Sequence, residues 1–143
     1  MIMDKLIMMR RARDEHGQSL SLFVLVIMAA LIITTGLVID GGQKVAATSR
    51  AESAAAGASR AAGNAAATQQ LGGVDPASAS VLAAKAYLAG QSGVQGTVSI
   101  ANGIVLVTTS AQQSTIVLSI IGIGSVTGHG SARANIVPTG ASR

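Results

Sequence analysis

The sequence contains no cysteine, which excludes a disulfide framework, a thiolate zinc site and a cysteine nucleophile. Its two histidines, His16 and His129, are too few and too far apart in sequence for a histidine-rich metal cluster. Only Phe23 and Tyr87 are aromatic, and charged residues make up 11% of the chain. Soluble domains typically have about 25% charged residues. Any folded core must therefore be built from small aliphatic side chains.

The motifs of common enzymes are also missing. Gly122 and Gly124 are followed by Gly128, which breaks the G-x-G-x-x-G spacing of a dinucleotide site, and no G-x-S-x-G nucleophile motif occurs. The net charge of +4 is small, and the basic residues are scattered beyond position 13, which argues against nucleic acid as a partner. We therefore predict a protein that is not an enzyme, with no catalytic, cofactor-binding or metal-binding residues and no small-molecule substrate.

One long apolar run dominates the sequence. Residues 18–39 contain no charge, and within residues 20–39 only Ser21, Thr34 and Thr35 are polar. Twenty helical residues span about 30 Å, the thickness of the hydrocarbon core of a bilayer. The run is longer than the apolar region of a cleaved secretory signal, which is about 7–15 residues. It therefore predicts a retained transmembrane helix over residues 18–39, with a cleaved signal or a buried core helix as alternatives.

Basic residues flank this run unequally. Four lie on its N-terminal side and two within reach on its C-terminal side: Lys5, Arg10, Arg11 and Arg13, then Lys44 and Arg50. The positive-inside rule places the more basic flank in the cytoplasm. We therefore predict a cytoplasmic basic leader at residues 1–17 and an extracytoplasmic region from residue 40 onward, in a single-pass protein of the cell membrane.

An alanine-rich segment follows the apolar run. Residues 46–67 contain 12 alanines in 22 positions, and alanine is the strongest helix former. Its small residues recur at spacings of three and four and form one smooth stripe. The members of the stripe are Ala47, Ala51, Ala54, Ala55, Ala58, Ala62, Ala65 and Ala66. We predict that the membrane helix continues to about residue 70 and forms an Ala-rich extracytoplasmic segment, residues 40–72, with a low-complexity linker as the alternative.

The remaining residues, 73–143, predict a small α+β domain. Asp75 and Pro76 are a helix N-cap and a first-turn proline, and they begin a second helix over residues 76–89 with Leu82 on its apolar stripe. Asn102-Gly103 between β-branched runs at 97–100 and 104–110 predicts a hairpin.

Two further segments complete this region. Residues 114–121 are ambiguous between helix and strand, and residues 125–137 predict a last strand that ends at Pro138. The predicted fold class is thus α+β. A long N-terminal transmembrane helix continues into the Ala-rich helix, and a small helix and an antiparallel sheet follow it.

Small residues and one acid are the candidate interaction sites. Small side chains let membrane helices approach closely, so Ala29, Ala30 and Gly36 are predicted to pack against other membrane helices. The smooth alanine face predicts close packing of another helix or a sheet, at Ala51, Ala55 and Ala62. Asp40 closes the apolar run. It either marks the water interface or contacts a specific partner, because an acid at membrane depth usually has a role.

The order of these features resembles the TadE/TadG-like proteins, the pilin-like accessory membrane proteins of the Flp (tight-adherence) pilus system. A basic leader ends in glycine, an apolar helix follows, then a Gly-Leu-Val-Ile-Asp-Gly-Gly stretch and an Ala-rich helix with spaced arginines. The resemblance covers roughly residues 17–66 and is closest to the TadG-like N-terminal region. The matching residues are Gly17, Ser19, Ser21, Phe23, Gly36, Leu37, Val38, Asp40, Gly41, Gly42, Arg50, Ala51, Ala54, Ala55 and Ala62.

The resemblance implies a structural role in the cell envelope. It implies an accessory or minor pilin-like (pseudopilin) component of a Flp/Tad-type pilus assembly or secretion system, with other pilin-like or Tad subunits and the membrane as partners. It also implies a peptidase processing site at the Gly17–Gln18 bond. Pilins usually carry Glu at the fifth position after the cut, where this chain has Leu22, a departure that fits a minor component better than a major pilin. The alternative function is a ligand-binding protein of the cell envelope, unrelated to pili and tethered by one transmembrane helix.

Overall fold

A computed structural model of the chain describes residues 2–73 and 75–136, and for residues 2–18 it describes the backbone alone. The elements are helix α1 (Ile2–Leu71), helix α2 (Pro76–Ala89), strands β1 (Val94–Ala101) and β2 (Ile104–Ser114), a 3₁₀ turn (Leu118–Ile121) and strand β3 (Ser125–Asn135). This order confirms the predicted α+β class. The chain divides into two compact units, residues 1–39 and residues 40–143.

The first unit contains the apolar part of α1. Between Leu20 and Ile39 the large aliphatic side chains are exposed on every side of the helix, as is Phe23. The hydroxyls of Thr34 and Thr35 donate to the carbonyl oxygens of Ala30 and Leu31, at 2.7 Å and 2.8 Å, so the helix satisfies its own polar groups. Within the described residues, one helix is long and apolar enough to cross a membrane. A helix that is apolar all round fits a single-pass membrane protein.

The second unit is built on a three-stranded antiparallel sheet with the order β1-β2-β3. The predicted hairpin is confirmed: Ala101 pairs with Ile104 across a turn in which Asn102 and Gly103 both have positive φ. Strand β3 returns along β2, from the pair Ser114–Ser125 to the pair Ile104–Asn135. Both strands of the hairpin are longer than the β-branched runs that predicted them, because the pairing extends into Gln- and Ser-containing flanks.

The second helix begins where the sequence predicts. Asp75 caps it by accepting the backbone N–H of Ala77 at 3.1 Å, and Gly90 ends it. Its buried face, however, consists of Ser80, Ala84 and Leu88. Leu82, which the sequence places on the apolar stripe, is 73% exposed. Ser80 and Ala84 are small and lie four residues apart, so α2 can approach its neighbours closely on this face. The placement of α2 in the fold, and not the size of its side chains, therefore decides which face is buried.

The ambiguous segment 114–121 is neither a full strand nor a full helix. Ser114 ends β2, and Leu118–Ile121 forms one 3₁₀ turn closed by Gly122 in the left-handed region, at φ 91°. The predicted last strand is present, but it ends at Asn135. Val137 and Pro138, which the sequence places at its end, lie outside the described residues.

The core of this unit is made of alanines from α1 and valines from the sheet. Ala55, Ala58 and Ala62 are fully buried, as are Val105 and Val107 of β2. Alternate residues of each strand point to the same face, so the face that carries these valines is the face toward the helix. The opposite face carries mainly polar side chains, of Gln, Ser, Thr, Asn, His and Arg, together with two aliphatic residues near the start of β2. The sheet therefore has one buried face and one polar face.

Two glycines on β3 set how closely the helix and the sheet approach. A Cβ on Gly128 would lie 2.5 Å from the Cα of Thr48, and a Cβ on Gly130 would lie 2.6 Å from the carbonyl oxygen of Ala51. These neighbours are backbone atoms of α1, which cannot rotate away. The hydroxyl of Thr109 joins the same contact by donating to the Ala51 carbonyl at 2.6 Å. The strand and the helix thus touch through their backbones.

We expect Gly130→Ala to destabilise the second unit by about 1–3 kcal/mol, the usual cost of overpacking, because the new methyl group overlaps the helix backbone. Denaturant unfolding of the full chain in detergent measures this change. Gly124→Ala is the matched control, since nothing lies within 4 Å of its Cβ position, and it should stay within about 0.5 kcal/mol of wild type. Equal stability of the two variants would contradict the backbone contact.

Candidate functional site

The most distinctive site in the second unit is built around the carboxylate of Asp40. This residue directly follows Ile39, the last residue of the apolar run, and it is only 1% exposed. One carboxylate oxygen accepts the backbone N–H of Ile116 at 2.7 Å. The other accepts the N–H groups of Val117 at 3.0 Å and Leu118 at 2.6 Å. Three consecutive amides of one loop therefore bind a single side chain.

This arrangement resembles a helix N-cap made from a distant side chain. The three amides precede or begin the 3₁₀ turn Leu118–Ile121, where N–H groups have no partner in their own helix. A carboxylate that accepts such groups forms charge-assisted hydrogen bonds, which are stronger than neutral ones. The N–H of Ile116 lowers the pKa of Asp40, burial opposes this, and the N–H groups of Leu118 and Val117 lower it further, so the pKa lies below its usual value.

The loop bound by Asp40 is also closed on itself. The amide of Thr115 donates to the carbonyl of Gly124 at 3.2 Å, and the amide of Ile123 donates to the carbonyl of Leu118 at 3.0 Å. The hydroxyl of Thr115 donates to the carbonyl of Ile123. Among the described residues, every buried side-chain nitrogen and oxygen has a hydrogen-bond partner. We call residues 115–124 the isoleucine loop, because four of its members are isoleucines.

Other polar contacts hold α1 against the ends of β3. The ammonium group of Lys44 donates to the carbonyl of Thr127, near the start of the strand. The side-chain amide of Gln70 donates to the carbonyl of Ile136, just past its other end. Together with Asp40, these residues contact the sheet and its loop along the whole of α1 within this unit.

The structure places the predicted packing residues in different environments. Ala29 and Ala30 are exposed and Gly36 is buried, within the first unit. Ala51, Ala55 and Ala62 are fully buried in the second unit. The residues of the predicted processing site, at positions 17 and 18, lie within α1. Packing against other chains, processing at this bond and a partner contact at Asp40 stay predictions.

Sequence reasoning missed the positions that lie opposite the alanine stripe. Gly128, Gly130, Ala132 and Ala134 alternate along β3, and each faces the helix, while Thr109 lies beside them on β2. Four small residues at every second position indicate a strand that lies unusually close to another element. From that pattern, β3 could have been predicted to pack against the alanine stripe. The amide partners of Asp40 had no such pattern, because backbone N–H groups leave no trace in a sequence.

The polar face of the sheet is the other surface available to a partner. Pairing brings Gln95, Ser110 and His129 into one row, and Thr97, Thr108 and Ser131 into the next. The hydroxyls of Thr97 and Thr108 lie 3.1 Å apart and share a hydrogen bond. In the described part of the chain, no group of three or more His, Asp or Glu residues is placed to hold a metal ion.

Comparison with protein families identifies one segment. Residues 17–68 match the family model Tad, described as "Putative Flp pilus-assembly TadE/G-like". The match spans 52 of the 143 residues, begins at Gly17 and includes both Asp40 and the alanine stripe. It confirms the resemblance to TadE/TadG-like proteins. Among curated proteins and among solved structures, nothing matches the chain.

We expect Asp40→Ala to release the isoleucine loop, because the three amides lose their common acceptor. Asp40→Asn keeps one acceptor oxygen without the charge and should have an intermediate effect. Amide hydrogen exchange of Ile116, Val117 and Leu118 in the full chain measures the release. Gln112→Ala, on the exposed part of β2, is the matched control and should leave these amides protected. Wild-type protection in both Asp40 variants would contradict the assignment.

The pH dependence follows from the lowered pKa of Asp40. The carboxyl has an ordinary pKa of 3.8 when unfolded, and a lower pKa when folded. Its stabilising contribution is therefore complete above pH 3.8 and disappears as the pH falls through the folded pKa. We expect the stability difference between wild type and Asp40→Asn to be constant from neutral pH to about this value, and then to shrink. A difference that persists unchanged to pH 2, in unfolding measured at about one-unit steps, would contradict this prediction.

Proposed function

We propose that the chain, whose residues 17–68 form a TadE/G-like segment, is a membrane-anchored accessory or minor pilin-like component of a Flp/Tad-type pilus assembly or secretion system. Its role in this proposal is structural rather than catalytic. The observation that carries the proposal is the extent of the family match. The matched segment contains the apolar run, the buried acid that follows it, and the helix face on which the sheet is folded.

Each part of the proposal has a physical basis. The exposed apolar helix would anchor the chain in the membrane, with the more basic N-terminal flank in the cytoplasm and residues from Asp40 onward outside. Gly36, Ala29 and Ala30 would let other membrane helices approach closely. The polar face of the sheet would be the surface available to further subunits outside the membrane.

In this proposal the alanine stripe and Gly36 have different roles. Ala51, Ala55 and Ala62 are fully buried within their own unit, so bulky side chains there act on the fold. A test of assembly must therefore use the membrane segment. Residues 19–39 belong to the first unit, whereas the buried core cluster is formed by residues between positions 54 and 136.

We expect Gly36→Leu to reduce co-purification with Tad subunits several-fold, because the larger side chain prevents close approach of a neighbouring helix. The chain should stay in the membrane fraction, since the substitution makes the helix more apolar. Val38→Leu is the matched control: it is exposed, adds one methylene group and should leave co-purification unchanged. Affinity purification from detergent-solubilised membranes of the native host, followed by mass spectrometry, makes the comparison.

The same preparation separates the competing functions. Co-purification of Tad subunits at the wild-type level with Gly36→Leu would contradict the packing role. Recovery of the wild-type chain without any Tad subunit would favour the tethered ligand-binding protein. The intact mass of the purified chain shows whether it starts at Met1 or at Gln18, and so whether the Gly17–Gln18 bond is cut. Recovery from the medium alone would contradict the membrane anchor.

A further inference from the structure

The isoleucine loop exposes more aliphatic surface than its place in a small folded unit explains. Ile120 is 82% exposed and Ile121 is 72% exposed, and Ile116 and Ile123 are also exposed. No charged residue occurs anywhere between Ser114 and Thr127. Contiguous apolar patches on soluble surfaces usually mark a binding site for a protein or a membrane.

The position of the loop in the fold indicates which of these it meets. Asp40 binds the amides of Ile116, Val117 and Leu118, with distances of 2.6–3.0 Å. Asp40 is also the residue directly bonded to Ile39, the end of the apolar run. If that run spans a bilayer, the loop is held one residue beyond the hydrocarbon core, at the depth of the lipid headgroups. The backbone that carries the exposed isoleucines is therefore bound to the first residue after the apolar run.

The backbone of the loop suits such an environment. Polar backbone groups that meet the acyl chains must find partners inside the protein, because the hydrocarbon region offers no water to bind them. The amides of Ile116, Val117 and Leu118 bind Asp40, and those of Ile120, Gly122 and Ile123 bind carbonyl oxygens of the loop itself. The loop thus presents aliphatic side chains on a backbone most of whose N–H groups have partners within the protein.

We propose that the isoleucine loop is a second membrane-contacting surface, which inserts Ile120, Ile121 and Ile123 into the headgroup boundary of the same bilayer that the apolar helix spans. The proposal rests on the membrane anchor of the proposed function. Amphipathic helices in the interface bury their apolar face about 5–10 Å into the headgroup and acyl boundary, and we expect the side chains of the loop to lie within this depth. Since the loop carries no charge, its contact with lipid is apolar and independent of anionic headgroups.

The absence of cysteine makes the test direct, because a single introduced cysteine can be labelled specifically. The full chain is placed in phosphatidylcholine nanodiscs with an environment-sensitive fluorophore at Ile120→Cys, Leu82→Cys or Ile32→Cys. Lipids that carry a nitroxide near the headgroup quench a fluorophore in the bilayer, and aqueous iodide quenches one in water. Leu82 is the matched control, since it is an exposed aliphatic residue of the same unit and lies on α2.

We expect lipid quenching at position 120 to be several-fold stronger than at position 82, and similar with or without phosphatidylglycerol in the nanodisc. Quenching at 120 by iodide alone, with position 32 quenched by lipid, would overturn the loop insertion and leave the membrane anchor in place. Shielding at 120 from both quenchers would show that protein covers the loop, which also overturns the proposal. Failure of lipid to quench position 32 would instead overturn the anchor, and the loop proposal with it.

Discussion

The second unit depends on a contact between two backbones. Gly128 and Gly130 have no side chains to separate β3 from α1, and Ala47 and Ala51 contribute only methyl groups on the helix side. A core with almost no aromatic residues cannot bury large surfaces, so it must gain from many short contacts instead. Dispersion energy falls steeply with separation, and close backbone approach is the way in which small residues obtain it. The glycines at alternate positions of β3 thus compensate for the low aromatic content, because they allow this close approach.

Asp40 stabilises a different part of this unit, the isoleucine loop, from its place directly after the apolar run. A buried carboxylate is costly unless its oxygens are hydrogen-bonded, and three amides of the isoleucine loop supply those bonds. The benefit is mutual, because the same amides begin a 3₁₀ turn and would otherwise lack partners. A single side chain therefore fixes a loop that is more than seventy residues away in sequence. The loop's exposed isoleucines are presented on a fixed frame for the same reason.

Much of the fold could be predicted from local sequence patterns. The capped second helix, the Asn102-Gly103 hairpin and the alanine stripe are each determined by residues a few positions apart, and all could be predicted. The exposure of Leu82 could not, because it depends on how α2 lies against its neighbours. Residues 114–121 were ambiguous for a similar reason: the 3₁₀ turn is stabilised by Asp40, which local propensity does not register. The candidate site was found by its acid alone, and its partners required the tertiary structure.

The family match includes the helix side of the helix–sheet contact but not the sheet side. Residues 17–68 contain the alanine face, Lys44 and Asp40, whereas the glycines of β3 and the isoleucine loop lie outside the match. A smooth helix face places few demands on its partner beyond small residues at the point of contact. The sheet therefore has to supply the complementarity, through Gly128, Gly130 and the amides that bind Asp40.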